Sequence, residues 1–214
     1  MADPICILCT DNPSISDPLG LEMFSKLGLR LIRPMHEQIV RFSETGDYLT
    51  SSIDELLSVL HDKAIVHFGV WVDDAIHVHV QIRILENSAA SKILYLELLE
   101  DSLKVRIADE MVSRFSSSSG NQMIMVDFIG DSLEYVDWIS FYQDKSGRLT
   151  AQIPTPVSPT LLGLQRNRFA RLRKRFKHYH FTEVADMTIA SKHRSLSDFV
   201  AWQRSGSRRM EEWT

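Results

Sequence analysis

The chain has 214 residues, of which 44% are hydrophobic and 24% are charged, proportions typical of a globular protein. Its length is sufficient to bury a core without stabilising disulfides, and its two cysteines are fewer than a small secreted domain normally carries. No run of 18 apolar residues and no signal-peptide pattern is present, so we expect a cytoplasmic protein without a membrane span.

The first predicted element is a strand that contains both cysteines, Cys6 and Cys9. Their Cys-x-x-Cys spacing is also used in redox and zinc sites, but three positions along a strand place two side chains on opposite faces. No second Cys-x-x-Cys is available to complete a zinc site. We therefore interpret both cysteines as buried structural residues.

Three helices are predicted in the following 50 residues. Asp17 and Pro18 mark the start of a helix that Gly28 ends, and a short strand is expected at 29–32. A second helix is predicted from Pro34 to Phe42. Ser52-Ile53-Asp54-Glu55 is a capping box, with a hydroxyl at the N-cap and a carboxylate three residues later, and predicts the start of the third helix.

A β-hairpin is the clearest pattern in the sequence. Two β-branched apolar runs, 65–72 and 75–85, are separated by Asp73-Asp74, which predicts a two-residue turn. Facing positions then sum to 147. One face would carry Ile65, His67, Gly69, Trp71, Ile76, Val78, Val80 and Ile82. The other face would carry Phe68, Val70, Val72, His77, His79, Gln81 and Arg83.

Beyond the hairpin, residues 92–99 are ambiguous between strand and helix. Helical periodicity predicts a helix from Ser102 to Phe115. Three strands are predicted after it, at 123–129, 135–142 and 149–153.

The C-terminal part begins with a proline-rich stretch. Three prolines between Pro154 and Pro159 predict an extended linker. A strongly basic helix is predicted from Leu161 to about His178, with Leu162, Phe169, Leu172 and Phe176 along one stripe.

The order of elements mixes hairpins with helices and does not alternate strictly, which favours the α+β class. We expect a mixed or largely antiparallel sheet with a central hairpin at 65–85, helices packed on it and a basic helical C-terminal part. The predicted organisation is an acidic domain at 1–153, a linker at 154–160 and a basic subdomain or extension at 161–214. The two parts also fit one continuous domain.

Charge is distributed unevenly along the chain. Residues 1–164 hold 12 Lys+Arg and 23 Asp+Glu, and residues 165–214 hold 12 and 5, so the nets are −11 and +7 and the total is −4. The basic cluster is Arg166, Arg168, Arg171, Arg173, Lys174, Arg175 and Lys177. Three interpretations are open for it: pairing with the acidic part of the same chain, docking of an acidic protein, or binding of nucleic acid.

Two groups of residues are candidates for a site in the acidic part. His77 and His79 lie two positions apart on a strand, a spacing that metal sites use, and His178 and His180 repeat it. Asp127, Asp131, Glu134 and Asp137 cluster between two predicted strands and could form an acidic binding face or supply acid–base chemistry.

No nucleophile elbow, Walker A loop or nucleic-acid-binding motif is recognisable, and no cofactor is indicated. We therefore expect a non-enzymatic protein that binds a macromolecule. The first hypothesis is a small cytoplasmic inhibitor, such as an immunity-type protein, whose acidic face neutralises a basic toxin or nuclease. The alternative is a nucleic-acid-binding protein that uses the basic residues 166–177, and a metal-dependent enzyme at His77 and His79 is the third hypothesis.

Overall fold

The computed structural model describes residues 5–10, 17–43, 45–62, 65–85, 89–117, 122–128, 138–139, 142, 160–170, 172–184 and 187–192. In these residues the chain forms an antiparallel sheet of eleven strands and three helices. The α+β class is confirmed. None of the helices in the described part of the chain is both long and apolar enough to cross a membrane.

The strands are β1 Ile5–Thr10, β2 Ile32–Arg33, β3 Gln38–Phe42, β4 Tyr48–Ser51, β5 Ile65–Trp71, β6 His77–Ile84, β7 Ala90–Tyr95, β8 Gln122–Asp127, β9 Leu161–Gln165, β10 His180–Val184 and β11 Met187–Ser191. They are ordered β10-β11-β9-β8-β1-β7-β6-β5-β3-β2, and β4 also pairs with β3. The N-terminal strand β1 therefore lies inside the sheet, between β7 and β8, where its alternate side chains are buried on both faces.

The helices are α1 Leu21–Lys26, α2 Ile53–His61 and α3 Asp101–Ser117. The capping box of α2 is formed: Glu55 N–H donates to Ser52 Oγ at 3.2 Å, and Ser52 N–H donates to Glu55 Oε2 at 2.8 Å. Gly28 follows α1 with a φ of 78°, a left-handed conformation that glycine adopts at a helix end without a steric penalty.

The three helices pack on one face of the sheet, which we call the helix-covered face. Its core is built from apolar side chains of all three helices and of strands in both halves of the sheet. It includes Met23, Phe24, Leu56, Leu60, Ile107, Met111, Val80, Leu94 and Val126.

The opposite face carries a second core at its β8–β9–β11 end. Residues 138–139, 142, 166–170 and 172–176 cover it, and its members include Met125, Trp138, Tyr142, Leu162, Phe169, Leu172 and Phe176. Cys6 lies in the first core and Cys9 in the second, and both are buried thiols outside any disulfide, as predicted. Burial raises the pKa of the Cys6 thiol, and the carboxylate of Asp127 adds to the effect.

The hairpin is formed, but the predicted register is wrong by one residue. Val66 faces Ile82 and Phe68 faces Val80, so facing positions sum to 148. The turn has three residues because Asp73 Oδ1 accepts hydrogen bonds from the N–H groups of Ala75 and Ile76, both at 2.8 Å. Because side chains alternate between faces, a one-residue change of register means that each side chain of β5 shares its face with the residues of β6 that were predicted to lie on the opposite face.

Two predicted helices are also absent. Residues 34–37 form a turn between β2 and β3, closed by the hydrogen bond from Glu37 N–H to Arg33 O at 2.9 Å, with Glu37 at a φ of 50°. The segment from Leu161 to His178 is not one helix: it is β9, a single helical turn at Arg166–Phe169 and a 3-10 turn at Arg173–Phe176. Long-range pairing with β8 and β11 decides the conformation of residues 161–165 against their local periodicity.

The predicted strand at 135–142 is contradicted where the structure describes it, because Trp138, Ile139 and Tyr142 are helical. Helical geometry brings Trp138 and Tyr142, four residues apart, to one side, where both enter the second core. The proline-rich residues 154–159 lie outside the described residues. The proposed domain boundary stays a prediction, although β9, which follows it, pairs with β8 in the same sheet.

Gly163 in β9 has no room for a side chain, because Ile124 of β8 and Phe115 of α3 occupy the space beside it. A Cβ atom there would lie 2.6 Å from Ile124 Cγ2 and 2.8 Å from Phe115 Cε1. We predict that Gly163→Ala lowers the free energy of unfolding by about 1–3 kcal/mol, because the added methyl group overpacks a buried contact. Urea unfolding measures the change, Thr182→Ala on the exposed strand β10 is the control, and an unchanged midpoint would contradict the packing described here.

Candidate functional site

The observed hairpin register places three histidines among aromatic residues on the opposite face of the sheet, at its β3–β7 end. We call this group the histidine–aromatic cluster. Its members are Phe42, His67, Trp71, His77, His79 and Tyr95. Strand alternation explains the grouping. The numbers of facing residues in β5 and β6 sum to 148, so each odd-numbered residue of β5 faces an odd-numbered residue of β6, and all of them lie on one face of the sheet.

His67 and His79 form the polar centre of the cluster. His67 Nδ1 and His79 Nε2 are 3.0 Å apart, a hydrogen bond in which one ring donates and the other accepts. His79 lies opposite Gly69, whose missing side chain leaves space above the strand. The His67 ring reaches His79 diagonally across the two strands, with the ring centroids 5.3 Å apart.

Aromatic rings surround the histidine pair. Phe42 packs on His79 with a centroid distance of 4.8 Å and stacks on His77 at 5.5 Å. Tyr95 packs on the other side of His79 at 5.1 Å, and its hydroxyl donates to Gln81 Oε1 at 3.0 Å. These contacts hold the imidazoles in a partly apolar environment.

Trp71 covers the hairpin next to the histidines. A Cβ atom on Gly69 would lie only 3.2–3.3 Å from the Trp71 ring, so the indole lies across the glycine. The guanidinium of Arg33 stacks over the indole at 4.9 Å and donates to Asp74 O at 3.0 Å. Trp71 Nε1 and His77 Nδ1 are buried and have no hydrogen-bond partner among the described residues.

The environment keeps the imidazoles of His77 and His79 neutral. Burial, with the neighbouring His67 and His77, lowers the pKa of His79 to about 4, and burial together with Arg33 lowers the pKa of His77. Both rings are therefore uncharged at neutral pH. In this form they offer hydrogen-bond donors and acceptors but no net charge.

An open cavity of about 780 Å³ lies beside the histidine pair, lined by Phe42, Ser43, Gly46, Tyr48, Ile65, His67 and His79. Its outer wall is the turn between β3 and β4, and its floor is the start of β5 together with His79. The volume is in the range of small-molecule sites.

The described residues offer no third ligand to complete a metal site with His77 and His79. In the part of the chain that the structure describes, no group of three or more His, Cys, Asp or Glu side chains could hold an ion. The pair His178 and His180 does not join His77 and His79, because β10 lies at an edge of the sheet and five strands separate it from β6.

Asp127 is the only described member of the predicted acidic face, since Asp131, Glu134 and Asp137 lie outside the described residues. Its side chain is buried at the end of β8, with 1% exposure. Asp127 is therefore in the sheet interior, and the acidic face as a binding surface stays a prediction.

The basic residues lie on the covering turns at the β9–β11 end of the sheet. Arg166 pairs with Glu183 at 3.1 Å, and the guanidinium of Arg173 stacks over Phe181 at 4.9 Å. Arg173, Lys174 and Lys177 are exposed. The side chains of Arg168, Arg171 and Arg175 lie outside the described part of the structure.

Sequence reasoning missed His67, Phe42, Trp71 and Tyr95 as members of one site. His67 was assigned to the face opposite His79 because the turn was counted as two residues. The signal that could have corrected it is Asp73, whose carboxylate favours a longer turn by accepting local N–H groups.

We compared the chain with protein-family models, characterised proteins and solved structures, and none of them matches it.

The lowered pKa of His79 predicts a pH dependence of stability. The unfolded chain binds a proton at the ordinary pKa of 6.5 while the folded chain binds it at about 4. Stability is therefore fully present above pH 6.5 and falls as the pH drops to about 4. Because glutamine does not bind this proton, the free energy of unfolding of His79→Gln should fall by about 1 kcal/mol less than that of the wild type over this pH range. The magnitude is reduced by the partial solvent exposure of the ring.

Denaturant unfolding at several pH values between 7 and 4 measures how steeply the free energy of unfolding changes with pH in the wild type and in His79→Gln. His61→Gln, an exposed change in α2 that leaves the histidine–aromatic cluster intact, is the matched control. Equal slopes for the wild type and His79→Gln would contradict the prediction.

Proposed function

We propose that this protein is a non-enzymatic binding protein whose basic residues 166–177 dock on nucleic acid. One observation carries the proposal: the exposed side chains of Arg173, Lys174 and Lys177 have no acidic partner among the described residues. Arg166 alone of the described basic residues in this segment is paired, with Glu183. Self-neutralisation by the acidic part of the chain therefore accounts for little of the described basic charge.

The segment is also fixed in place. Phe169, Leu172 and Phe176 are buried in the second core, and Phe176 contacts Tyr179 edge-to-face at 4.8 Å. These anchors hold the short helical and 3-10 turns against the sheet, and the described charged residues of the segment, Arg166, Arg173, Lys174 and Lys177, are exposed. A charged surface that is already ordered loses less side-chain entropy when it binds.

Phosphate groups are the best-matched ligands for such a surface. Lys ammonium and Arg guanidinium groups release condensed counterions when they contact a phosphate backbone, which supplies sequence-independent affinity. The net charge of −11 on residues 1–164 requires the polyanion to approach from the β9–β11 end of the sheet, where the basic residues lie.

A second proposal is favoured by that same net charge of −11. Acting in the cytoplasm, the protein would neutralise a basic toxin or nuclease through an acidic face, as an immunity-type inhibitor does. Because Asp127 is buried, the contact would depend on Asp131, Glu134 and Asp137. Mass spectrometry of material that co-purifies from native cells separates the proposals: a stoichiometric protein that survives nuclease treatment favours the inhibitor, and nucleic acid favours the basic segment.

The nucleic-acid proposal predicts that the triple change Arg173→Gln, Lys174→Gln and Lys177→Gln weakens binding to labelled poly(U) RNA. Each lost phosphate contact should reduce the slope of log K against log salt by about 1, so the slope should fall by about 2–3. Fluorescence anisotropy over a salt series measures both quantities.

A matched triple control is available on exposed residues elsewhere: Lys26→Gln, Arg30→Gln and Arg83→Gln. It removes the same charge and should leave the affinity close to that of the wild type. If the two triple variants lose affinity equally, the basic segment is not the docking surface.

A further inference from the structure

We propose that the cavity between the β3–β4 turn and the His67–His79 pair is a binding site for an uncharged planar heteroaromatic group. The cavity lies toward the β2–β3 edge of the sheet, away from the basic residues, so the inference is independent of the proposed function.

The cavity results from the way two strands separate. β5 pairs with β6 over seven residue pairs, but the register of β5 with β3 is limited to Arg41 opposite Phe68. On its other edge β3 pairs with β4 over four residue pairs, from Ile39 to Phe42. The cavity is the space between the end of β3 and the start of β5, where the two strands are not paired.

The outer wall is held by its own hydrogen bonds. Thr45 Oγ1 donates to Asp47 Oδ2 at 2.6 Å, and Ser43 Oγ accepts from the N–H groups of Thr45 and Asp47 at 3.2 and 3.0 Å. The side chains of Ser43, Thr45 and Asp47 therefore bond to groups within the turn itself. The β3–β4 hairpin contributes mainly the rings of Phe42 and Tyr48 to the lining of the cavity.

Those rings form an angled aromatic surface. Phe42 and Tyr48 meet edge-to-face, with centroids 5.2 Å apart and planes at 70°. Tyr48 is 58% exposed and Ile65, across the cavity, is 42% exposed, so both side chains present apolar surface to solvent at the cavity mouth. A flat ring inserted between them would stack on an aromatic face and cover both residues.

The polar floor determines the charge of the ligand. The hydrogen bond between His67 Nδ1 and His79 Nε2 needs one ring nitrogen that accepts, so at least one of the two imidazoles is neutral, and the floor suits the ring nitrogens of a heterocycle better than a carboxylate or phosphate. The low pKa of His79 is consistent with this, because its ring offers no counter-charge to an anion at neutral pH. A cation could only use the aromatic faces.

Adenine is a suitable probe because it is planar and uncharged and carries no phosphate that the basic residues could bind. We expect saturable binding at one site, observed as shifts of the His67 and His79 ring resonances in NMR titrations. Tyr48→Ala should weaken binding about tenfold, the loss of one stacking contact. Since Tyr48 is exposed, this variant retains its core packing.

Two matched comparisons complete the test. Leu98→Ala removes another exposed apolar side chain away from the cavity and should bind adenine as the wild type does. The triple glutamine variant of the basic segment should also keep its adenine affinity, so failure of the nucleic-acid proposal and failure of this one are distinguishable. Absence of histidine shifts at millimolar adenine, equal affinity of Tyr48→Ala and wild type, or tighter binding of tetramethylammonium than of adenine would each overturn the proposal.

Discussion

The hydrogen bonds accepted by the Asp73 carboxylate decide the arrangement of half of the sheet. They close a three-residue turn and so set the register of β5 against β6. With this register Val66, Phe68 and Val70 share the helix-covered face with Val78, Val80 and Ile82. The polar and aromatic residues of both strands are then left together on the other face, where His67 meets His79.

Each face of the sheet is used differently along its width. The helix-covered face is a continuous apolar layer under α1, α2 and α3. The opposite face is apolar under the C-terminal turns and changes to histidines and aromatic rings from β7 to β3. One sheet thus combines an apolar core on its helix-covered face, exposed basic residues near one end and a cavity beside the histidine pair near the other.

Local patterns predicted the elements whose conformation is decided locally. The capping box at Ser52 and Glu55 and the helical periodicity of α3 both indicated helices that the structure contains. The alternation that separates Cys6 from Cys9 was also correct. In each case the information lies within a few residues of the element itself.

The errors occurred where distant pairing decides the outcome. Leu162, Phe169, Leu172 and Phe176 are buried together as their spacing indicated, yet a strand and two turns bury them as well as the predicted helix would. The histidine–aromatic cluster depends on whether the turn after β5 has two residues or three, which decides the face on which His67 lies. The cavity depends on where the pairing of β3 with β5 ends. Neither is encoded as a local periodicity.

The position of β1 has a consequence for how the protein folds. Ile5 pairs with Tyr95 on one side and with Asp127 on the other, so β1 acquires its second neighbour only through residues that lie more than 110 positions later in the chain. Until that neighbour is in place, the apolar residues of β1, which are among the most deeply buried in the finished sheet, are incompletely covered. Pairing over such a separation is slow and promotes aggregation, so the assembly of β1 is a step of folding at which aggregation competes.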